Sequence, residues 1–164
     1  MLISPQLVSV NWRVDDTPCL FTIGYEGISI NEYIDKLLAH NIRVLIDVRS
    51  NPISRKPGFS KNAFRGHLLK AGINYVHIPE LGVPSARRKN LGTEQSYRDL
   101  FRYYEKEILP SNLDSIEQIK DVIQQYSRAA LTCFEADHRS CHRHKITEYL
   151  YKEPTFTTEI IHLN

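Results

Sequence analysis

The chain is poor in cysteine and has no long apolar run. Its three thiols, Cys19, Cys133 and Cys141, are odd in number and unpatterned, which argues against a disulfide framework and for reduced thiols in a cytoplasm. No apolar stretch approaches the ~20 residues a membrane helix needs. Residues 1–18 lack the basic-then-apolar order of a signal peptide, so no membrane partner is expected. There is no internal repeat and no low-complexity tract. Acidic residues are missing from a whole segment: between Val48 and Pro79 there is no Asp or Glu, while Arg49, Arg55, Lys56, Lys61, Arg65 and Lys70 all fall there. Arg87, Arg88 and Lys89 follow. This asymmetry has two readings: a basic face that meets an anionic small molecule or nucleic acid, or a solvated surface neutralised by acidic neighbours in the fold.

What is present is ordinary for a folded protein. The chain has 164 residues, 41% of them hydrophobic, 24% charged, and a net charge of +2, which suits one domain with one core. Short apolar runs alternate with helical patterns. Strands are predicted at residues 21–25, 44–48, 75–78, 129–134 and 158–163. Helices are predicted at 29–40, from Ser60 to Gly72, at 95–109 up to Pro110, at 113–126 and at 141–151. Ser29 and Glu32 make a capping box, and Ile30, Tyr33, Ile34, Leu37 and Leu38 form one apolar face. Strands alternating with helices imply a three-layer α/β/α fold with a mostly parallel sheet of about five strands, Rossmann-like, with an order 3-2-1-4-5 as the working expectation. Residues 1–18 form an N-terminal extension to a domain over 19–164. Within it Val8, Val10, Trp12 and Val14 alternate with polar residues, the pattern of an extra edge strand or of an arm through which copies of the chain associate.

In a parallel sheet all strand C-termini lie on one edge. Here that edge would collect Gly24-Tyr25-Glu26-Gly27, Asp47 and Arg49 with Arg55 beyond, Glu80, and the segment from Cys133 through Glu135 to Cys141, His142 and Arg143. Glu135 is the best general acid/base candidate, and Asp47 would orient an arginine or a substrate hydroxyl. Tyr25 would hydrogen-bond the substrate. Cys141, read as the first helical residue after a Ser140 cap, would be a nucleophile or a packing residue. Arg49, Arg55, Arg143 and His142 would hold an anion at the helix N-terminus. The competing reading is a set of partly buried ion pairs that hold loops together.

Zinc would have to draw on Cys133, Cys141, His138, His142 or His144. No Cys-x2-Cys pair supports it, so no metal is expected. Gly24–Gly27 is too short for a Walker loop and lacks the dinucleotide pattern, so no nucleotide cofactor or flavin is expected either. Cys133 and Arg139 have the Cys-x5-Arg spacing of tyrosine phosphatases, but Glu135 and Asp137 inside that loop would repel a phosphate.

Seven motifs occur together: Thr22–Gly27, Ile46–Pro52, Ser54–Ser60, Gly72–His77, Glu80–Gly82, Cys133–Glu135 and Cys141–Arg143. In this order they resemble the domain-of-unknown-function family 488, over residues 19–163. The resemblance implies a compact α/β domain with these motif residues as a shared site, and it brings no activity with it. A weaker similarity is to rhodanese-like domains, in which Cys133 would carry persulfide sulfur, although residues 134–138 are acidic and lack the small residues of that active-site loop. Three functions follow as expectations. The first is an enzyme acting on a phosphate-bearing substrate, a nucleotide or nucleic acid, as hydrolase or transferase. The second is a non-catalytic nucleic-acid-binding module. The third is thiol or sulfur-transfer chemistry.

Overall fold

The computed structural model describes residues 16–164. The edge-strand pattern at Val8–Val14 lies outside the described residues. Among the described residues five strands form one sheet: β1 (Cys19–Gly24), β2 (Val44–Asp47), β3 (Asn74–His77), β4 (Arg128–Cys133) and β5 (Glu159–Leu163). All pairings are parallel. The helices are α1 (Ile30–Ala39), α2 (Lys61–Lys70), α3 (Glu94–Tyr103), the short α4 (Leu109–Ser111), α5 (Leu113–Tyr126) and α6 (Arg143–Lys152). The α/β/α architecture is thus the one expected.

The strand order is β3-β2-β4-β1-β5, so β4 lies between β2 and β1 instead of outside β1. Asp47 pairs with Thr132, and Gly24 with Cys133. This order decides where chemistry can occur. Leu20, Val44, Ile46, Ala129 and Leu131 pack with α3, α5 and α6 on one face. Phe21, Ile23, Leu45 and Ala130 pack with α1 and α2 on the other. The period-two alternation along each strand therefore feeds two cores, as a sheet covered on both sides requires. Crossovers toward β3 run over the α1–α2 face and crossovers toward β5 over the opposite face, so all four share one hand. The chain leaving β4 therefore heads away from the chains leaving both neighbours, β2 and β1. A small concavity lies where the β4 C-terminus meets the chain leaving β2, lined by Arg49, Ser50 and Asn51 on one side and Cys133 and Glu135 on the other.

Local chemistry sets the element ends. Ser29 accepts from the Glu32 N–H and Glu32 from the Ser29 N–H, closing the expected capping box. Gly72 has φ 77 just past the end of α2, a left-handed position that favours glycine. Ser60 stands before α2, but its hydroxyl bonds to both N–H and C=O of Ser54, bracing the loop rather than the helix. The third predicted helix does not stop at Pro110. It widens into a π-helical turn over Tyr104–Ile108 and continues through α4, which contains the proline. The wider turn accommodates the ring and its missing N–H. The last helix begins at Arg143 with His142 as its cap, not at Cys141. Residues 138–140 form a separate 3-10 turn, because the Asp137 side chain accepts from the Arg139 N–H.

At the β1–β5 edge, His162 stacks on His138 with ring centroids 3.6 Å apart, and its Nδ1 meets Thr22 Oγ1 at 2.8 Å. Burial, with His138 and Arg143 nearby, lowers its pKa to about 4. A base depressed in the folded state stays neutral while the unfolded chain takes up a proton. Stability therefore falls as pH drops from 6.5 toward about 4. Urea unfolding of the wild type should show a midpoint that declines over this window, with a smaller decline in His162→Gln. Equal declines in both would contradict the assignment.

Candidate functional site

The C-terminal edge is organised by a buried ion pair. Asp47 ends β2 fully buried, and Arg49 is only 4% exposed. Arg49 curls back so that its N–H and Nε donate to Asp47 Oδ1 at 3.1 and 2.9 Å, and its Nη2 donates to Oδ2 at 2.6 Å. Tyr75 OH, from β3, also donates to Oδ2 at 2.7 Å. The other guanidinium nitrogen, Nη1, donates to Tyr25 OH at 3.0 Å and to the Phe59 carbonyl at 2.8 Å. Tyr25 lies flat on Phe59, centroids 4.4 Å apart. One pair thus joins the ends of β1, β2 and β3 to the loop before α2.

The second half of the edge is the β4–α6 connection. Its backbone lies directly on β1: a Cβ on Gly24 would come within 1.8 Å of the Glu135 carbonyl oxygen, so only glycine fits. Glu26 N–H donates to Phe134 O, and Glu26 Oε2 accepts from Ala136 N–H. Arg143 is fully buried. Its Nη1 and Nη2 donate to the carbonyls of Glu135 (2.7 Å) and Ala136 (3.0 Å). It clamps this loop through backbone, not through the Glu135 carboxylate. Gly82 plays the corresponding part on the far side, where a Cβ would strike the Ser50 N–H at 2.1 Å.

Between these halves sits a cluster of four titratable groups. His142 is buried, and its Nε2 bonds the Val48 carbonyl at 3.0 Å. A carbonyl only accepts, so Nε2 carries a hydrogen and Nδ1 is the nitrogen left to exchange a proton with the sulfurs. Nδ1 faces Cys133 Sγ at 3.8 Å and Cys141 Sγ at 3.9 Å. Cys133 Sγ and Glu135 Oε2 share a hydrogen bond of 3.1 Å. The bond with Cys141, helped by His142 and Glu135, holds the Cys133 thiol well below the ordinary thiol range against the opposing effect of burial. Burial and Cys133 push Cys141 up. Burial and the Cys133 charge raise the Glu135 carboxyl to about 7. Burial disfavours charge on His142, but Cys133 outweighs it and raises the imidazole. The four groups are coupled and share protons.

The cluster opens on a pocket of about 80 Å³, whose lining includes Tyr25, Arg49, Arg88, Cys133, Glu135 and His142. Larger concavities lie elsewhere among the described residues, one of about 600 Å³ between α6 and β5; none of the four titratable groups lines it. Sequence reasoning placed Tyr25, Asp47, Arg49, Glu135, Cys141, His142 and Arg143 together, and the fold does so. Their duties differ. Asp47, Arg49 and Arg143 are engaged with protein partners, and Cys141 lies behind Cys133 in an extended segment before the helix cap. Arg55 is exposed and not part of the pocket lining. Cys133, His142 as a base, Tyr75 and Gly24 are the residues whose importance the sequence understated. Chain spacing predicts no metal, yet Cys133, Cys141 and His142 present ligand atoms within 4.8 Å of one another.

The family model described as Domain of unknown function DUF488 matches residues 29–150, and the chain belongs to that family. The match covers α1 through most of α6, and so Asp47, Arg49 and the Cys133–Arg143 segment; β1, Tyr25 and β5 fall outside it. No curated protein and no solved structure matches the chain.

Two substitutions test the scaffold. Asp47→Ala leaves the Arg49 guanidinium buried without its counter-charge and should cost about 3–5 kcal/mol of unfolding free energy. Gly24→Ala forces the β4–α6 loop off β1 and should cost about 1–3 kcal/mol. Denaturant titration checks both; a loss within about 0.5 kcal/mol for either, as at an ordinary surface site, would contradict this construction of the site.

Proposed function

We propose that this member of the DUF488 family is an enzyme of covalent group transfer or hydrolysis, with Cys133 as nucleophile and a phosphate-bearing anion as substrate. The observation that carries the reading is the lone pair of His142 Nδ1 aimed at Cys133 Sγ across 3.8 Å, held there by the Nε2 bond to Val48. A thiolate, not a thiol, is the reactive form, and a positioned base creates it. In the first step Cys133 Sγ bonds to the electrophilic centre as the bond to the leaving group breaks. The leaving group takes a proton from the Glu135 carboxyl, whose pKa near 7 suits transfer at neutral pH. A water or alcohol acceptor then attacks the Cys133-bound centre, gives its proton back to Glu135, and releases the thiolate.

Arg88 lines the pocket, is exposed, and has no carboxylate partner among the described residues. It is the cation best suited to the substrate anion, in place of the engaged Arg49 and Arg143. A volume of about 80 Å³ admits a reacting group and little more. The remainder of a nucleotide would lie over the exposed side chains of Arg55, Lys61 and Arg87. Those same side chains favour a second reading, a nucleic-acid-binding surface without catalysis. Three free thiols fit a reducing compartment such as the cytoplasm.

Alkylation of metal-free protein by iodoacetamide at pH 7, resolved by peptide mass mapping, checks the reading. Cys133 should react faster than Cys141 and Cys19, and His142→Gln, which keeps a donor for Val48, should slow it at least about tenfold. Inorganic phosphate should protect Cys133 in the wild type and not in Arg88→Gln. A Cys133 no faster than Cys19 would defeat the catalytic reading. Salt-sensitive RNA or DNA binding that survives Cys133→Ser and Glu135→Gln would then favour the second.

A further inference from the structure

We propose that Cys133, Cys141 and His142 form a binding site for one divalent transition-metal ion of the zinc class, with its fourth position facing the pocket beside Glu135. Tetrahedral zinc has Zn–S of about 2.3 Å and Zn–N of about 2.0 Å, so its S···N edges are about 3.5 Å long. The corresponding edges here are 3.8 Å from Cys133 and 3.9 Å from Cys141 to Nδ1. Two edges of one tetrahedral face therefore stand within about 0.4 Å of the ideal, and the third, between the two sulfurs, is no longer than 4.8 Å.

Three further features belong to a metal centre. The Nε2–H bond to the Val48 carbonyl selects the tautomer whose Nδ1 is free to ligate, the usual outer-sphere support for a ligating histidine. The ligands are rigidly carried: Cys133 is the last residue of β4, and the Cys141 backbone is tied by its N–H to His138 O and by its C=O to His144 N–H. The charges also balance. Two thiolates neutralise a divalent ion, which suits a ligand set withdrawn from water. All three ligands are buried, whereas Glu135 Oε2, 3.1 Å from Cys133 Sγ, borders the pocket. The fourth position is therefore taken by this carboxylate or by a small ligand from the pocket, the arrangement of an open site rather than a closed structural one.

The soft ligand set favours zinc, cobalt or cadmium over magnesium or calcium. An ion held this way occupies the Cys133 lone pair, so the metal-loaded protein is the silent form of a thiol enzyme. That consequence rests on the proposed function; the binding site does not.

Cobalt(II) titration of the full, chelator-treated chain tests the site. One ion per chain should bind, with thiolate-to-cobalt charge-transfer bands and the intense visible bands of a four-coordinate ion. Cys133→Ser, Cys141→Ser and His142→Gln should each weaken it at least about tenfold, and Cys19→Ser should not. A measurement independent of variants uses the wild type alone: zinc should protect Cys133 and Cys141 from alkylation and leave Cys19 unchanged. Absence of thiolate bands, binding that survives loss of both cysteines, or zinc that protects neither thiol would overturn the proposal. Cobalt binding with an unreactive Cys133 in the metal-free protein would sink the catalytic reading and leave the metal site standing. A fast Cys133 that no metal protects would do the reverse.

Discussion

The site depends on one buried ion pair. Asp47 and Arg49 are both withdrawn from water, which is costly for any charge that is not fully satisfied. Here both are. The carboxylate takes three bonds from Arg49 and one from Tyr75, and the guanidinium reaches Tyr25 and Phe59. Such a pair is weak evidence of net stability, but its bonds reach four separate segments of the chain. It fixes the ends of β1, β2 and β3 relative to each other, and so fixes the wall against which the β4–α6 connection is laid.

That connection carries the reactive groups because of sheet order. With β4 between β2 and β1, the chain leaving β4 passes to the opposite face from the chains leaving both neighbours, and space is left at its C-terminus on the β2 side. Gly24 lets the loop backbone rest on β1, and Arg143 holds the Glu135 and Ala136 carbonyls from beneath. His142, one residue before α6, then falls beside Val48 of the β2 end. The sharing of protons among Cys133, Cys141, Glu135 and His142 is thus a product of topology: residues 133 and 142 belong to one connection, while the carbonyl that orients the imidazole belongs to another.

Much of this was legible in the sequence. The capping box at Ser29, the bounds of α5 at 113 and 126, and the convergence of polar residues at strand C-termini follow from local pattern. Strand order did not, because β1, β2 and β4 are buried on both faces, and residues apolar on both sides do not say which neighbour they pair with. The start of α6 was misplaced because Ser140-Cys141 reads as a cap and first turn. The Asp137 side chain closes a 3-10 turn instead, which turns Cys141 inward and makes His142 the cap. The surroundings of the arginines were not legible either, for another reason. A guanidinium binds carbonyls as well as phosphates, and residue type alone does not say that Arg143 is fully buried.

Both the thiol chemistry and the metal site require that His142 present Nδ1, not Nε2, to the sulfurs. Nitrogen-15 NMR of the histidine-labelled protein measures this directly. His142 Nε2 should carry its proton in every state, with slow exchange and a shift typical of a donor to a carbonyl. Nδ1 should be either a bare acceptor or protonated by transfer from Cys133. A His142 protonated at Nδ1 with a bare Nε2 would contradict it, because the ring would then offer the two sulfurs a donor and neither a base nor a ligand.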